Sequence, residues 1–198
     1  MGVLCPFFKA LLISLYIAFL LVSLFLNLAS AQEPLTPGLS VGQTVPEKVW
    51  AMTLVDISGP EGKLLRMGDY RGKPLIIDFF ASWCHPCLSN MQKLDSLSKL
   101  KGSSFNVLIV NTPNRIDSLK NMRAFISGYL KDKPAFSLPI VAAQRDLFSF
   151  FPHRVVPNYI WIGADGTIKA ITGSEEVSSL NTKRFVAGET MFLKTKTD

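Results

Sequence analysis

Apolar residues follow three kinds of pattern along this chain, and each pattern predicts a different kind of element. Residues 10–29 (ALLISLYIAFLLVSLFLNLA) are almost without polarity, which predicts one continuous helix. Residues 75–80 (LIIDFF) and 105–110 (FNVLIV) are short apolar runs, and such runs favour strands that are buried on both faces. Elsewhere apolar residues recur every three or four positions, which predicts amphipathic helices.

Helical stripes and turn signals complete the pattern. Two stripes predict helices, the first formed by Leu88, Met91, Leu94, Leu97 and Leu100, and the second by Ile116, Leu119, Met122, Phe125, Ile126 and Tyr129. Strands are predicted on both sides of two turns, at residues 48–57 and 64–67 and at residues 158–162 and 167–171, and a last helix within 180–192. The order of strands and helices implies an α/β fold with a parallel core and right-handed crossovers.

The first 31 residues have the layout of a secretory signal peptide: their only charge is Lys9, and small residues precede a cut after Ala31. The competing interpretation is an uncleaved anchor, because the helix over 10–29 would span about 30 Å. Cys5 precedes the apolar run, which argues against a lipid-anchored cysteine at the cut. Under both interpretations the rest of the chain is exported, to the periplasm, where disulfides persist.

Length and composition limit the possible classes. The 198 residues divide into a leader at 1–31, a linker rich in Pro, Gly and Thr at 32–47, and one domain at 48–198. The net charge of +6 is mild and the basic residues are scattered, which disfavours nucleic-acid binding. Three cysteines are too few for a disulfide-dense small protein, and two of them lie three residues apart.

That cysteine pair lies in the segment Trp83-Cys84-His85-Pro86-Cys87, between the strand at 75–80 and the first striped helix. Cys84 is expected where the helix begins, and the unpaired N–H groups and positive dipole end there favour its thiolate. Pro86 fits the first helical turn, where its missing N–H has no cost. Cys87, one turn on, can attack a mixed disulfide on Cys84, so the pair is predicted to be a reversible two-thiol switch.

Three other interpretations of the pair are weaker. A structural staple would close a loop of only four residues, worth about 2 kcal/mol by loop entropy. A zinc site lacks ligands, because the exported part offers only Cys84, Cys87, His85 and His153. A chance pair of buried thiols would not account for the neighbouring Trp and Pro.

Residues 78–87 (DFFASWCHPC) resemble the active-site strand and loop of thioredoxin-fold proteins. Residues 42–46 (GQTVP), 71–74 (RGKP) and 163–166 (GADG) are similar to those of exported TlpA/ResA-like thiol-disulfide oxidoreductases, and the resemblance covers roughly residues 40–185. It implies a thioredoxin fold in which helices flank a central mixed sheet, with an N-terminal β-hairpin extension.

The resemblance also implies the activity and the partners. It points to an enzyme that exchanges electrons between its cysteine pair and protein disulfides, as a reductase supplied by a membrane-embedded electron donor. Cys84 attacks the substrate disulfide and Cys87 resolves the mixed disulfide. No cofactor or metal is needed, because the electrons reside in the cysteine pair, and a monomer is expected.

Further residues take roles from the same resemblance. Asp78 stands in an apolar strand where the family has a buried acid that moves protons to and from the second cysteine, and burial raises the pKa of such a carboxyl. The alternative is that Asp78 caps a backbone N–H. Val156-Pro157 matches the family's cis-proline loop, which faces the cysteines and pairs with the substrate backbone. Trp83 either shields the disulfide or belongs to the core.

The sequence departs from the family at several positions. His85 places a cation beside Cys84, so we expect a reduction potential between about −270 mV, the value of thioredoxin, and about −120 mV, that of a strong periplasmic oxidant. Asn90 and Gln92 stand where the family often has Glu and Pro, and Val156 where it often has Thr, which leaves proton handling and substrate preference open. His153 is expected at the surface, with an approach to the site as the alternative.

Proteins of other classes remain as rival hypotheses. A copper-binding thioredoxin-fold chaperone of the Sco type would use Cys84, Cys87 and His153, although its cysteines are usually separated by three residues. A peroxiredoxin-like peroxidase is disfavoured because Ala81 stands where its threonine is expected. A purely structural module predicts that Cys84→Ser changes stability but no activity.

Overall fold

A computed structural model of the chain describes residues 6–30, 38–100, 104–133, 135–142, 145–191 and 193–196. They divide into two units, the first of which is helix α1 (Pro6–Ser30). Of the residues whose side chains are described, which in α1 are 12–24, none form a helix long and apolar enough to cross a membrane. Cys5 and the predicted cut after Ala31 lie outside the described residues, as does the first part of the predicted linker, so the leader stays a prediction.

The second unit is built on one mixed sheet. Its described strands are β1 (Thr53–Asp56), β2 (Lys63–Arg66), β3 (Leu75–Phe80), β4 (Asn106–Asn111), β5 (Ile140–Val141), β6 (Asn158–Ile162) and β7 (Ile168–Thr172). They lie in the order β2-β1-β5-β4-β3-β6-β7. The β3–β4 and β4–β5 pairs are parallel and the other pairs antiparallel, which confirms a mixed sheet with an N-terminal hairpin, β1–β2.

Helices cover both faces of this sheet. They are α2 (Glu47–Trp50), α3 (His85–Ser98), α4 (Leu119–Leu130), α5 (Arg145–Phe150) and α6 (Ser179–Val186). One apolar core joins the sheet to α3, α4 and α6, and a second joins the opposite face to α2 and α5. The predicted α/β class, with helices flanking a central mixed sheet, is therefore confirmed.

Strand β3 lies at the centre of the sheet and positions the site. All of its residues are buried, because β4 and β6 flank it and helices cover both faces. Successive side chains of a strand point to opposite faces. Ile76 and Phe80 pack in the core under α3, while Ile77 and Phe79 pack in the opposite core. Asp78 therefore belongs to the face that α3 covers.

The structure differs from the sequence predictions in short or irregular segments. Residues 48–57 do not form one strand, because Pro46 stands at the start of the one-turn helix α2 and only Thr53–Asp56 is extended. The short elements β5 and α5 were not predicted, since two or six residues show too little of a period. Leu100 lies beyond the end of α3 and is exposed.

The described part of the predicted linker packs on the domain. The amides of Leu39, Gly42 and Val45 donate to carbonyls of Phe150, Ile168 and Gly166 at 2.8–2.9 Å. Val45 is buried in the core beside α2. Residues 38–47 therefore belong to the compact unit rather than to a free linker, and the domain begins earlier than the predicted residue 48.

Candidate active site

The cysteine pair is oxidised and stands at the beginning of α3. Cys84 and Cys87 form a disulfide with a Cα–Cα distance of 5.3 Å. Cys84 is the N-cap residue, and its Sγ accepts a hydrogen bond of 3.3 Å from the amide of Cys87. Pro86 lies in the first turn, as predicted. The sulfur of Cys84 therefore lies where the free N–H groups of the helix stabilise a negative charge.

The surroundings of the pair differ between its outer and inner sides. Cys84 is 4% exposed and Cys87 is fully buried, so Cys84 is the sulfur that a substrate can reach. His85 and Pro86 are exposed in the first turn of α3. Trp83 is 60% exposed, so the alternative that it is a core residue is wrong. An indole on the surface beside Cys84 is available for contact with another protein.

Asp78 lies in the core on the side of the sheet that carries the cysteines. Its side chain is fully buried, and Cys87 belongs to the same core. Neither carboxyl oxygen has a hydrogen-bond partner in the described part of the chain. The alternative that Asp78 caps a backbone N–H is therefore wrong, and the carboxyl is left with an uncompensated cost of burial.

That cost makes the charged form of Asp78 unfavourable. Burial raises its pKa well above the ordinary value, and the nearby Tyr159 hydroxyl offsets this only in part. Tyr159 stands opposite Asp78 in the β3–β6 pair. Burial and then the charge of Asp78 raise the pKa of Tyr159 in turn. A carboxyl with a raised pKa can exchange a proton with a thiol near neutral pH.

Sequence reasoning missed Tyr159, because nothing in the pattern of β6 shows which residue of β3 it faces. Its hydroxyl is buried with no hydrogen-bond partner among the described residues. The usable signal was the alternation of β6, where Tyr159 and Trp161 point to the same face. The register of the antiparallel pair then brings Tyr159 beside the acid.

The loop before β6 has the cis peptide that the resemblance implied. The bond between Val156 and Pro157 is cis. The Lys196 ammonium donates to the carbonyl of Val155 and, at 3.0 Å, to that of Pro157. The backbone N–H and carbonyl of Val156 bond to no other backbone group in the described part of the chain. Val155 is exposed and Val156 half-buried.

His153 is buried, so the prediction of a surface histidine is wrong. Its Nδ1 donates to the carbonyl of Phe151 at 2.8 Å, and its Nε2 lies 2.9 Å from Thr112 Oγ1. Its ring packs on Phe79, with 4.7 Å between centroids. Phe79 belongs to the core opposite that of the cysteines. The structure therefore does not bring His153 to the cysteine pair, and no three His, Cys, Asp or Glu side chains of the described residues are arranged to hold a metal ion.

A cysteine pair at the start of a helix, next to the central strand of a mixed sheet and accompanied by a cis-proline loop, defines a class. The class is that of thiol-disulfide oxidoreductases with the thioredoxin fold. Residues 40–182 match the Redoxin family, and the chain belongs to this family. The family resemblance drawn from the sequence is thereby confirmed.

Individual relatives agree with this assignment. The chain is 28% identical over 145 residues to the thioredoxin-like protein YneN of Bacillus subtilis (strain 168), covering 73% of this chain and 78% of YneN. It is 27% identical over 135 residues to the thiol-disulfide oxidoreductase ResA of Geobacillus kaustophilus, covering 67% of this chain and 69% of ResA. A solved structure of a secreted Mycobacterium tuberculosis disulfide oxidoreductase homologous to E. coli DsbE has the same fold, with a TM-score of 0.53 and 16% identity over 72% of this chain and 99% of that one.

Proposed function

We propose that the chain is an exported reductase of protein disulfides, with Cys84 as the attacking cysteine, Cys87 as the resolving cysteine and Asp78 as the acid–base group. The observation that carries the proposal is the unequal burial of the two sulfurs on the sheet face where Asp78 is buried with no hydrogen-bond partner among the described residues. The name of the relative ResA, a thiol-disulfide oxidoreductase, supports the same chemistry.

The reaction moves two electrons from the protein to the substrate. In the reduced protein, the Cys84 thiolate attacks one sulfur of a substrate disulfide, forms a mixed disulfide and releases the first substrate thiolate. Asp78 in its carboxylate form, which its raised pKa makes a stronger base, then takes the proton of Cys87, and Cys87 attacks Cys84 Sγ. The second substrate thiolate leaves, the bond between Cys84 and Cys87 forms, and the proton on Asp78 passes to solvent or to the product.

The substrate contacts follow from the groups around Cys84. Trp83, His85 and Pro86 offer an exposed surface beside the sulfur. The backbone groups of Val156, which bond to no other backbone group among the described residues, suit a hydrogen-bonded pair with an extended substrate segment. Val156 stands where the family often has Thr, so we expect this contact to prefer different substrates.

Export and electron supply complete the proposal. The apolar segment over 10–29 and the small residues before position 32 support a leader that is either cleaved or kept as an anchor in the periplasm. The folded domain would act there as a monomer without a cofactor. Reduction in an oxidising compartment requires a membrane-embedded donor that returns two electrons to the Cys84–Cys87 disulfide after each cycle.

The direction of electron flow is tested by the reduction potential of the pair. We expect residues 32–198, equilibrated with glutathione, to show a potential below about −220 mV, as suits a reductase. A potential above about −170 mV would overturn the reductase proposal in favour of an oxidase or isomerase. If the pair never exchanges with glutathione, the redox function is wrong, and copper titration is the next experiment.

Replacing His85 by glycine is expected to make the couple more reducing. An imidazole beside Cys84 would stabilise the thiolate by donating a hydrogen bond or a positive charge to it, so the loss of this side chain disfavours the reduced protein. We expect a fall of about 30 mV, which is a tenfold change in the equilibrium constant with glutathione. His85→Lys, which places a cation at the start of α3, serves as the control and should not show this fall. An unchanged potential in the glycine variant would discard the role of His85.

A further inference from the structure

A second buried carboxylate lies beside the redox site, on the segment between β4 and α4. Asp117 is 5% exposed and accepts hydrogen bonds at both oxygens. Its Oδ2 accepts from the amide of Ser82 at 3.1 Å and from the side-chain amides of Asn111 and Asn114 at 2.8 and 2.9 Å. Its Oδ1 accepts from the Ser82 hydroxyl at 2.5 Å.

The chain builds this network from residues at the end of β4. Asn111 is the last residue of β4, opposite Phe80 in the parallel pair. The Asn114 side chain accepts from the amides of Ile116 and Asp117 at 2.8 and 2.9 Å, which folds the segment into a turn. The turn places the carboxylate next to Ser82, in the active-site loop that follows β3.

The partners of Asp117 are all hydrogen-bond donors, and they keep it charged. Burial alone would raise its pKa, but the hydrogen bonds from Ser82, Asn114 and Asn111 outweigh burial and hold the pKa below the ordinary value. Asp117 and Asp78 are thus two buried acids with opposite shifts. Asp78 favours the neutral form, whereas Asp117 is a permanent anion at neutral pH.

The position of Ser82 connects this anion to the reacting sulfur. The amide of Cys84 donates to the carbonyl of Ala81 at 3.0 Å, so Ser82 lies inside the turn that delivers Cys84 to the start of α3. Asp117 binds both the amide and the hydroxyl of Ser82, and therefore fixes this turn to the neighbouring segment.

We propose that Asp117 is a positioning residue of the redox site: it fixes the Ser82 turn that carries Cys84, and its permanent negative charge disfavours the Cys84 thiolate. The helix N-terminus stabilises that thiolate, and the Asp117 charge opposes it. An anion bound to Ser82, two residues before Cys84, destabilises the reduced protein relative to the disulfide, which makes the pair a stronger reductant. The inference rests on the proposed function, since it concerns the reduction potential of the same cysteine pair.

Asp117→Asn separates the charge from the hydrogen bonds. The asparagine carbonyl can accept from the amides of Ser82, Asn111 and Asn114, while its NH₂ donates to the Ser82 hydroxyl, which can reverse its role. The variant thus removes the charge with little loss of hydrogen bonding. We expect its equilibrium constant for reduction by glutathione to rise on the order of three- to tenfold, and Cys84 of the reduced protein to react correspondingly faster with iodoacetamide at pH 7.

Asp95→Asn is the matched control. Asp95 is also a buried, hydrogen-bonded acid, bound by Ser137 and Lys99, but it lies on α3 eight residues beyond Cys87. A purely structural carboxylate would alter the melting temperature without changing the potential. We expect Asp95→Asn to keep the wild-type equilibrium constant and alkylation rate.

The outcomes separate this inference from the proposed function. Equal equilibrium constants and alkylation rates in Asp117→Asn and the wild type would overturn the role of Asp117 while the oxidoreductase remained. An equal shift in Asp95→Asn would also overturn it, because any buried acid would then have the same effect. A wild-type pair that does not exchange with glutathione at all would overturn both.

Discussion

Replacing Cys84 by serine is expected to abolish disulfide reduction, whereas replacing Cys87 by serine is expected to trap the substrate on Cys84. The reason is the unequal access of the two sulfurs, since Cys84 is 4% exposed and Cys87 is fully buried. Without Cys84, the described part of the chain has no cysteine that a substrate disulfide can reach. The rate of reduction should fall on the order of 10³-fold or more, towards the background of the reductant alone.

The two serine variants control for each other. Each loses the same small disulfide loop, which contributes about 2 kcal/mol to the stability of the oxidised protein, so a stability effect cannot distinguish them. Insulin reduction with dithiothreitol measures the rate. Mass spectrometry after incubation with a disulfide-bonded peptide measures the mixed disulfide. Equal trapping by both variants would contradict the assigned order of attack. A Cys84→Ser variant that still reduces disulfides would support the hypothesis that the domain is a purely structural module.

Strong local patterns made much of the fold predictable. Strand β3 has the predicted bounds because an apolar run of that length fits a central strand, and the β6–β7 hairpin follows its Gly-Ala-Asp-Gly turn. The start of α3 was predictable from Pro86 and the cysteine spacing. Helix α2 and strand β5 were not, because elements of four and two residues are decided by tertiary contacts rather than by period.

The parts of the site that sequence reasoning missed depend on contacts between distant residues. Asp117 binds Ser82, which lies 35 positions earlier in the chain, and no local sequence pattern predicts that contact. The burial of His153 depends on Phe79 and Phe148, which lie in different elements and enclose its ring. Asp78 was recognisable because a carboxylate in an apolar strand is unusual at the level of sequence alone. That its oxygens accept no hydrogen bond from any described residue could be known only from the packed core.

Replacing Asp78 by asparagine is expected to slow the resolving step on the order of 10²-fold while leaving the attack by Cys84 unchanged. The carboxyl is buried on the face that carries Cys87, and its raised pKa lets it take the thiol proton that must leave before Cys87 can attack. Rapid mixing of the reduced protein with a fluorescent disulfide peptide separates the two steps. The attack step serves as the internal control, and equal slowing of both steps would contradict proton transfer to Cys87.

Asp78→Asn also has a signature in stability that does not depend on catalysis. Because the pKa of Asp78 is raised in the folded protein, the folded state holds the proton more tightly than the unfolded chain, whose aspartate pKa is about 3.9. The free energy of unfolding therefore falls as the pH rises from about 4 towards the raised pKa, and Asp78→Asn, which does not titrate, lacks this loss. In urea unfolding of the oxidised proteins between pH 4 and pH 8, the free energy of unfolding of the variant should rise relative to that of the wild type as the pH rises. A constant difference across that range would mean that the pKa of Asp78 is not raised in the folded protein, and its carboxylate would then be too weak a base to draw the proton from Cys87.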